Sequence, residues 1–353
     1  MFNSKRCLKY REKFDSTSAH LERASNGVNV TINTGSLEIN NGSVIASSTR
    51  GKGNSSNIII NARDRILLDG KNGNIFSHII NAVQPNAEGN AGNIQITTGT
   101  LKATNGVFIS SSSFAKGNAG NISIKAGELF IKNGATISAF SGGEGNAGNI
   151  FIDTRDAVVI DGFSGVFSYL SPEGVGKGGD IQITTNSLTL SNGGQLNATS
   201  FGKGNGGDII VNAGDAIGID GVGSYGSSSG VFTSLEGESE GRGGNINLTT
   251  GSLFLTNGGI VSASTFSTGN AGNITIDASD RILIDGVDTT GFSSGVLSTV
   301  NREAVGNGGN INLKTGSLFL TNGGIVNAST SSIGNAGDIT IDASDRILID
   351  AFD

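Results

Sequence analysis

The chain has 353 residues with 57 Gly, 2 Pro, no Trp, 1 Cys and a net charge of −7. So much Gly with so little Pro excludes a collagenous or low-complexity chain, and the lone Cys7 excludes an intrachain disulfide or a cysteine metal cluster. The acidic balance argues against nucleic acid, which needs a basic stripe, and no run of 18 apolar residues offers a membrane-spanning helix.

Residues 1–26 form a basic segment outside the repeat. Residues 1–23 hold six basic and three acidic groups, which leaves the rest of the chain at −10. Lys5, Arg6, Lys9, Arg11 and Lys13 are followed by no apolar stretch of seven or more residues, so the segment does not read as a signal peptide. It is expected to be disordered or to fold as a helical cap.

Residues 27–353 are a repeat. The phrase G-N-A-G-N-I-x-I and its variants recur with the first apolar residue at Val30, Ile58, Ile94, Ile122, Ile150, Ile181, Ile209, Ile246, Ile274, Ile311 and Ile339, at intervals of 28 to 37 residues. A period in that range marks a solenoid, propeller or array. After each anchor come three short alternating pieces, such as Ile246 to Leu248, Leu253 to Leu255 and Ile260 to Ala263, bounded by Gly, Asn and Ser; this is strand patterning. The unit is too short for a four-stranded propeller blade. The expectation is an all-β, right-handed parallel β-helix of about eleven rungs, roughly 50 Å long at about 4.8 Å per rung, with three strands in each rung.

Two rung types alternate. Type A carries G-S-L-x-L-x-N-G-G-x-I-x-A-S-T, as at Gly251 to Thr265 and, with one difference, Gly316 to Thr330. Type B carries A-S-D-R-I-L-I-D-G, as at Ala278 to Gly286 and more loosely at Ala62 to Gly70, Thr154 to Gly162 and Ala213 to Gly221. One extra type A rung stands near Ile122. The longer intervals follow type B anchors, with the extra residues around the third strand, as in Val222 to Ser229 and Val287 to Ser294. They predict loops along one face, where repeat proteins often bind.

The stretch Gly269 to Gly286, G-N-A-G-N-I-T-I-D-A-S-D-R-I-L-I-D-G, together with G-S-L-F-L-T-N-G-G-I-V-S-A-S-T, resembles the repeat region of filamentous haemagglutinin-like exoproteins of two-partner secretion systems, in the cyanobacterial style. The likeness covers residues 27–353. It implies a large secreted or cell-surface adhesin exported through an outer-membrane secretion partner, binding glycans or other cell surfaces, and it carries over no catalytic residue. Such proteins begin with a signal peptide and secretion domain, which are not legible here, and the chain stops inside a type B rung. It is therefore expected to be a fragment whose open β-helix ends offer self-association.

Candidate chemistry is sparse. The residue before each anchor is Asn or Asp, which suggests a ladder of stacked amides. Within it Asp180 and Asp208 fall on successive rungs, where two carboxylates about 5 Å apart could be bridged by calcium. Two further Asp columns, one including Asp64, Asp156, Asp215 and Asp280 and the other Asp69, Asp161, Asp220 and Asp285, read as turn formers. Phe130, Phe254 and Phe319 hold the outward middle position of the second strand and form a candidate binding row. Phe114, Phe140, Phe201 and Phe266 end the third strand and are expected to stack within a turn. Gly221 to Gly226 matches G-x-G-x-x-G and Gly226 to Gly230 matches G-x-S-x-G, but neither sits in the strand-turn-helix setting its chemistry needs. The alternative function is a β-helix polysaccharide lyase or glycosidase, for which the off-register charges are Glu236, Glu238, Glu240, Arg242, Arg302 and Glu303.

Overall fold

The computed structural model describes residues 20–24, 29–72, 75–224 and 226–351. The expectation of a cap or disorder for residues 1–26 falls mostly outside them. Among the described residues the regular elements are all strands. Each of the eleven anchors opens a long strand of 10 to 12 residues, from Val30–Ile39 to Ile339–Asp350, and these pair in parallel, each with the next, into an eleven-stranded sheet. A second eleven-stranded sheet contains His20–Ala24 followed by ten shorter strands, from Val44–Thr49 to Ile325–Asn327. Anchor pairs with anchor, Ile122 with Ile150 and Ile246 with Ile274. The chain is a parallel β-helix, and its coils are numbered here 1 to 11 from Val30.

Two of the three expected strands are a single strand that turns a corner. In Ile94–Thr104 the alternating buried residues are first Ile94, Ile96 and Thr98, then Leu101 and Ala103, with Thr104 buried at the strand end. Alternation on a strand has period two, so the parity change across Gly99–Thr100 redirects the inward face while pairing continues. Type B coils insert one residue at this corner, where Ala126 and Glu128 of coil 4 face Thr154 and Ala157 of coil 5 across a register shift. This is a bulge of the kind that bends a strand.

The repeated phrase is explained by close approach between coils. A Cβ on Gly272 would stand 1.8 Å from the Gly244 carbonyl oxygen, and one on Gly269 would stand 1.9 Å from that of Gly241. Gly269 also has φ +150°. Only glycine lets each coil settle that closely on the one before it. With the coils so stacked, inward Ile, Leu and Val form one continuous core from Val30 to Ala328. Each large side chain buried there stabilises by roughly 1.5–3 kcal/mol.

The extra residues of type B coils lie in two rows, not along one face. Between long and short strands, coil 2 raises the antiparallel pair Lys71–Asn72 and Ile75–Phe76, while coils 7 and 9 raise tight hairpins closed by Val222 with Ser228 and Val287 with Ser293. Coil 5 has no hairpin and crosses on Gly162 and Phe163. Beyond the short strand a second row of turns lies around Pro85, Pro172, Gly237 and Arg302. Interval lengths count inserted residues but cannot say that they divide between two corners.

Candidate functional site

Side-chain ladders running along the rod account for most of the recurrent polar residues. The predicted ladder before the anchors exists, but its repeating bond runs from backbone to side chain, with a side-chain bond beside it where Asn245 Nδ2 donates to Asp208 Oδ1 at 3.1 Å. Asn121 N–H donates to Asn93 Oδ1 at 2.8 Å, Asn149 N–H to Asn121 Oδ1 at 2.8 Å, and Asp180 N–H to Asn149 Oδ1 at 2.8 Å. Asp208 N–H then donates to Asp180 Oδ1 at 2.9 Å, and Asn245 N–H to Asp208 Oδ1 at 2.7 Å. The position needs only an acceptor, which explains how Asp and Asn interchange there. Asp180 and Asp208 do stand on consecutive coils, each with Oδ1 engaged by the next backbone, and the Lys177 ammonium lies 3.7 Å from Asp180. Among the described residues no group of three or more His, Cys, Asp or Glu side chains is placed to hold a metal ion.

A second ladder, three residues earlier, escapes sequence reasoning although G-N-A-G-N contains both asparagines. Asn118 N–H donates to Asn90 Oδ1 at 2.9 Å and Asn146 N–H to Asn118 Oδ1 at 2.8 Å. Lys177 and Arg242 stand in this column and donate through their backbone N–H to Asn146 Oδ1 and Asn205 Oδ1, but neither side chain has an acceptor for the N–H of the next coil.

The two Asp columns of type B both lie at corners. At the first, Arg63 pairs with Asp64 and Arg155 with Asp156, and each guanidinium holds its carboxyl below the usual range. The second column joins coils. Asp285 Oδ1 accepts from Thr321 Oγ1 at 2.6 Å and Asn322 Nδ2 at 2.7 Å in the following type A coil. Asp220 does the same with Thr256 and Asn257, and Asp161 with Ser191 and Asn192. Burial acts to raise the Asp161 pKa, but the bonds from Asn192 and Ser191 and the Lys132 charge hold it below the ordinary value.

A serine completes the joint on the other side. Ser294, fully buried, donates to the Asp285 carbonyl at 2.7 Å and accepts Gly258 N–H of the preceding type A turn at 2.9 Å. Ser77, Ser164 and Ser229 repeat this arrangement with Gly42, Gly134 and Gly193. Ser229 belongs to the G-x-S-x-G match, so at least one serine of that motif is committed to holding two coils together. No helix follows it among the described residues.

The outward surface carries the aromatic candidates. Phe130, Phe254 and Phe319 are half-buried on the long-strand sheet. Register places Phe254 beside Leu283, Leu283 beside Phe319 and Phe319 beside Leu348, a continuous apolar file over coils 8 to 11, while Phe130 neighbours Val159. Each ring has a cation above it: Lys132 Nζ at 5.7 Å from the Phe130 centroid, Arg281 Cζ at 5.6 Å from Phe254, and Arg346 Cζ at 5.8 Å from Phe319. The short-strand set behaves differently. Phe114, Phe140, Tyr169 and Phe201 contact one another in sequence at 5.0, 5.2 and 6.1 Å, so three of the four named phenylalanines, with Tyr169, stack across coils rather than within a turn. Phe266 is exposed in the same region.

The charges considered for catalysis divide between coils 7 and 9, about 10 Å apart along the axis. Glu236 is half-buried, and burial pushes its carboxyl up; Glu240 lies 3.7 Å from Lys203. Among the described residues no helix is long and apolar enough to cross a membrane. No family model matches the chain, and no curated protein or solved structure matches it either.

Proposed function

We propose that the chain is a noncatalytic, adhesin-like binding solenoid, secreted or held at the cell surface as part of a larger exoprotein that leaves through an outer-membrane partner. The observation that supports it most is the outward file of Phe254, Leu283, Phe319 and Leu348. A solvent-facing sheet ordinarily alternates polar residues outward, and contiguous apolar surface marks contact sites. The Arg281 and Arg346 guanidiniums over the rings add polar donors to an apolar bed, a combination suited to glycans or to the surface of another cell.

Adhesion of the purified chain to glycan-coated and cell surfaces tests the reading. A Phe254→Thr/Phe319→Thr double variant uses the residue that coil 6 carries at this position, Thr189. The variant is expected to keep the fold and lose about tenfold or more in adhesion; unchanged adhesion removes the aromatic file from the account, and no adhesion by the wild type removes the adhesin reading. Release of reducing ends from acidic polysaccharides would instead establish the lyase or glycosidase alternative.

A further inference from the structure

Just beyond the short strands, the coils carry an alternation of their own. The inward residues Leu170, Ser200, Leu235, Thr265 and Val300 are fully buried, and the residue after each belongs to the outer surface by the period of two. In coils 5 to 9 that residue is Ser171, Phe201, Glu236, Phe266 and Asn301. Their backbones form one ladder: Phe201 N–H donates to the Leu170 carbonyl at 3.0 Å, Glu236 N–H to that of Ser200 at 3.0 Å, Phe266 N–H to that of Leu235 at 2.8 Å, and Asn301 N–H to that of Thr265 at 2.9 Å. Glu236 therefore stands one coil, about 4.8 Å, from Phe201 on one side and from Phe266 on the other.

Glu236 is the anomaly in this column. Its carboxyl is half-buried, and burial alone pushes its pKa up. Among the described residues no hydrogen bond or ion pair reaches it, whereas Glu240 in the same turn has Lys203 at 3.7 Å. A carboxylate withdrawn from water without a partner destabilises a fold. The corresponding type B residues Gln84, Ser171 and Asn301 are uncharged, so the turn itself does not require the charge. Phe266 is 49 % exposed, and Phe201 is braced on its far side by Tyr169 at 6.1 Å. Asn301 Nδ2 donates to the Thr265 carbonyl and to Thr299 Oγ1, which fixes an amide at the next step of the column.

We infer that Phe201, Glu236, Phe266 and Asn301 form a binding site for an extended, cationic amino-sugar glycan, with sugar rings on the two phenylalanines and an ammonium group at Glu236. Aromatic faces take the apolar face of a pyranose and also attract a cation. The carboxylate between them supplies a charged acceptor for the ammonium. Phe201 and Phe266 are two coils, about 10 Å, apart, close to the length of an extended disaccharide unit, so platforms on alternate coils suit a chain lying along the rod. The net negative charge of the repeat favours a cationic ligand over an anionic one. The site rests on the reading of the rod as a glycan-binding surface protein and gives that reading a ligand class at a place separate from the Phe254 file.

Calorimetry on the soluble full chain tests the inference with a β-linked glucosamine tetrasaccharide, at a pH where its amines are protonated. The N-acetylglucosamine tetrasaccharide, which has the same backbone without the charge, and tetramethylammonium serve as comparisons. The glucosamine oligomer is expected to bind with Kd of about 1 mM or tighter, and each comparison ligand about tenfold more weakly. Glu236→Gln and Phe266→Ser, which install the residues found at this place in coils 2 and 10, are each expected to weaken binding about tenfold or more. Glu236→Gln should leave the thermal midpoint unchanged or higher, a result that a structural role for the carboxylate would not give. No binding of the glucosamine oligomer, equal binding of the acetylated one, equal binding of tetramethylammonium, or unchanged binding by either variant overturns the site. Such failure leaves the adhesion measurements standing, and failure of adhesion leaves this measurement standing.

Discussion

Type A and type B coils have the same core and differ in what they offer their neighbours. Type A turns on Asn-Gly in left-handed conformation, as at Asn257 and Gly258, and presents donors: a Ser or Thr hydroxyl, an Asn amide and a glycine N–H. Type B presents acceptors: an Asp carboxylate towards the coil after it and a buried serine oxygen towards the coil before it. The two types are therefore complementary parts of a two-coil unit. Where two type A coils meet, the turn bond becomes amide to amide at 3.2 Å, against 2.7 Å for amide to carboxylate at Asp161, Asp220 and Asp285. Charged acceptors form the stronger bonds.

The sharpest way to break this complementarity is Ser294→Ala. It strips Gly258 N–H and the Asp285 carbonyl of a shared buried partner, at a cost of about 1–3 kcal/mol. A lowered denaturation midpoint with local loss of hydrogen-exchange protection at Gly258 is expected; equal protection in both proteins would show that the serine does not join the coils.

Coil 2 departs from the other complete type B coils, since His78 stands where coils 5, 7 and 9 have Gly165, Gly230 and Gly295. Burial lowers the His78 pKa from 6.5 to about 4, beside the rings of Phe108 at 5.2 Å and Phe76 at 6.5 Å. The folded chain thus binds fewer protons than the unfolded one in this interval. Its contribution is intact above pH 6.5 and is lost as pH falls towards 4. Thermal midpoints recorded across that window should fall in the wild type and fall less in His78→Val, which carries the coil 1 residue.

The smallest effect is expected in the ladder that both types share. Asp208→Asn preserves the acceptor for Asn245 N–H and should change stability by less than about 0.5 kcal/mol, whereas Asp208→Ala should cost about 1 kcal/mol. Calcium titration of the same proteins separates the two roles considered for the acidic pair. A calcium-dependent rise in the wild type that is absent in Asp208→Asn establishes a cation bridge between Asp180 and Asp208; equal responses leave the hydrogen-bond ladder as the whole account.

Much of this was legible in the sequence because stacking imposes it on every coil. Each anchor from Val30 to Ile339 opens a long strand, since an inward Ile must recur wherever a coil closes. The asparagine column was legible by position, but not its bonding, because side-chain identity does not reveal whether the partner is an amide or a backbone N–H. The joining serines were hidden for a different reason: Ser229 lies in Gly226-Ser-Ser-Ser-Gly230, where composition distinguishes none of the three. The merged strand was missed because Gly and Asp at a corner look like a break, although extended backbone passes through Gly99 and, with one added residue, through Asp64.

Complementary coil pairs also constrain how such a chain can lengthen. Gly251 to Thr265 and Gly316 to Thr330 lie 65 residues apart and nearly coincide, the length of one type A and one type B coil together. Copying a gene segment of that size inserts a matched pair and leaves every joint intact at both new boundaries. Copying a single coil places like against like, as coils 3 and 4 stand, where the turn bond runs from amide to amide at 3.2 Å.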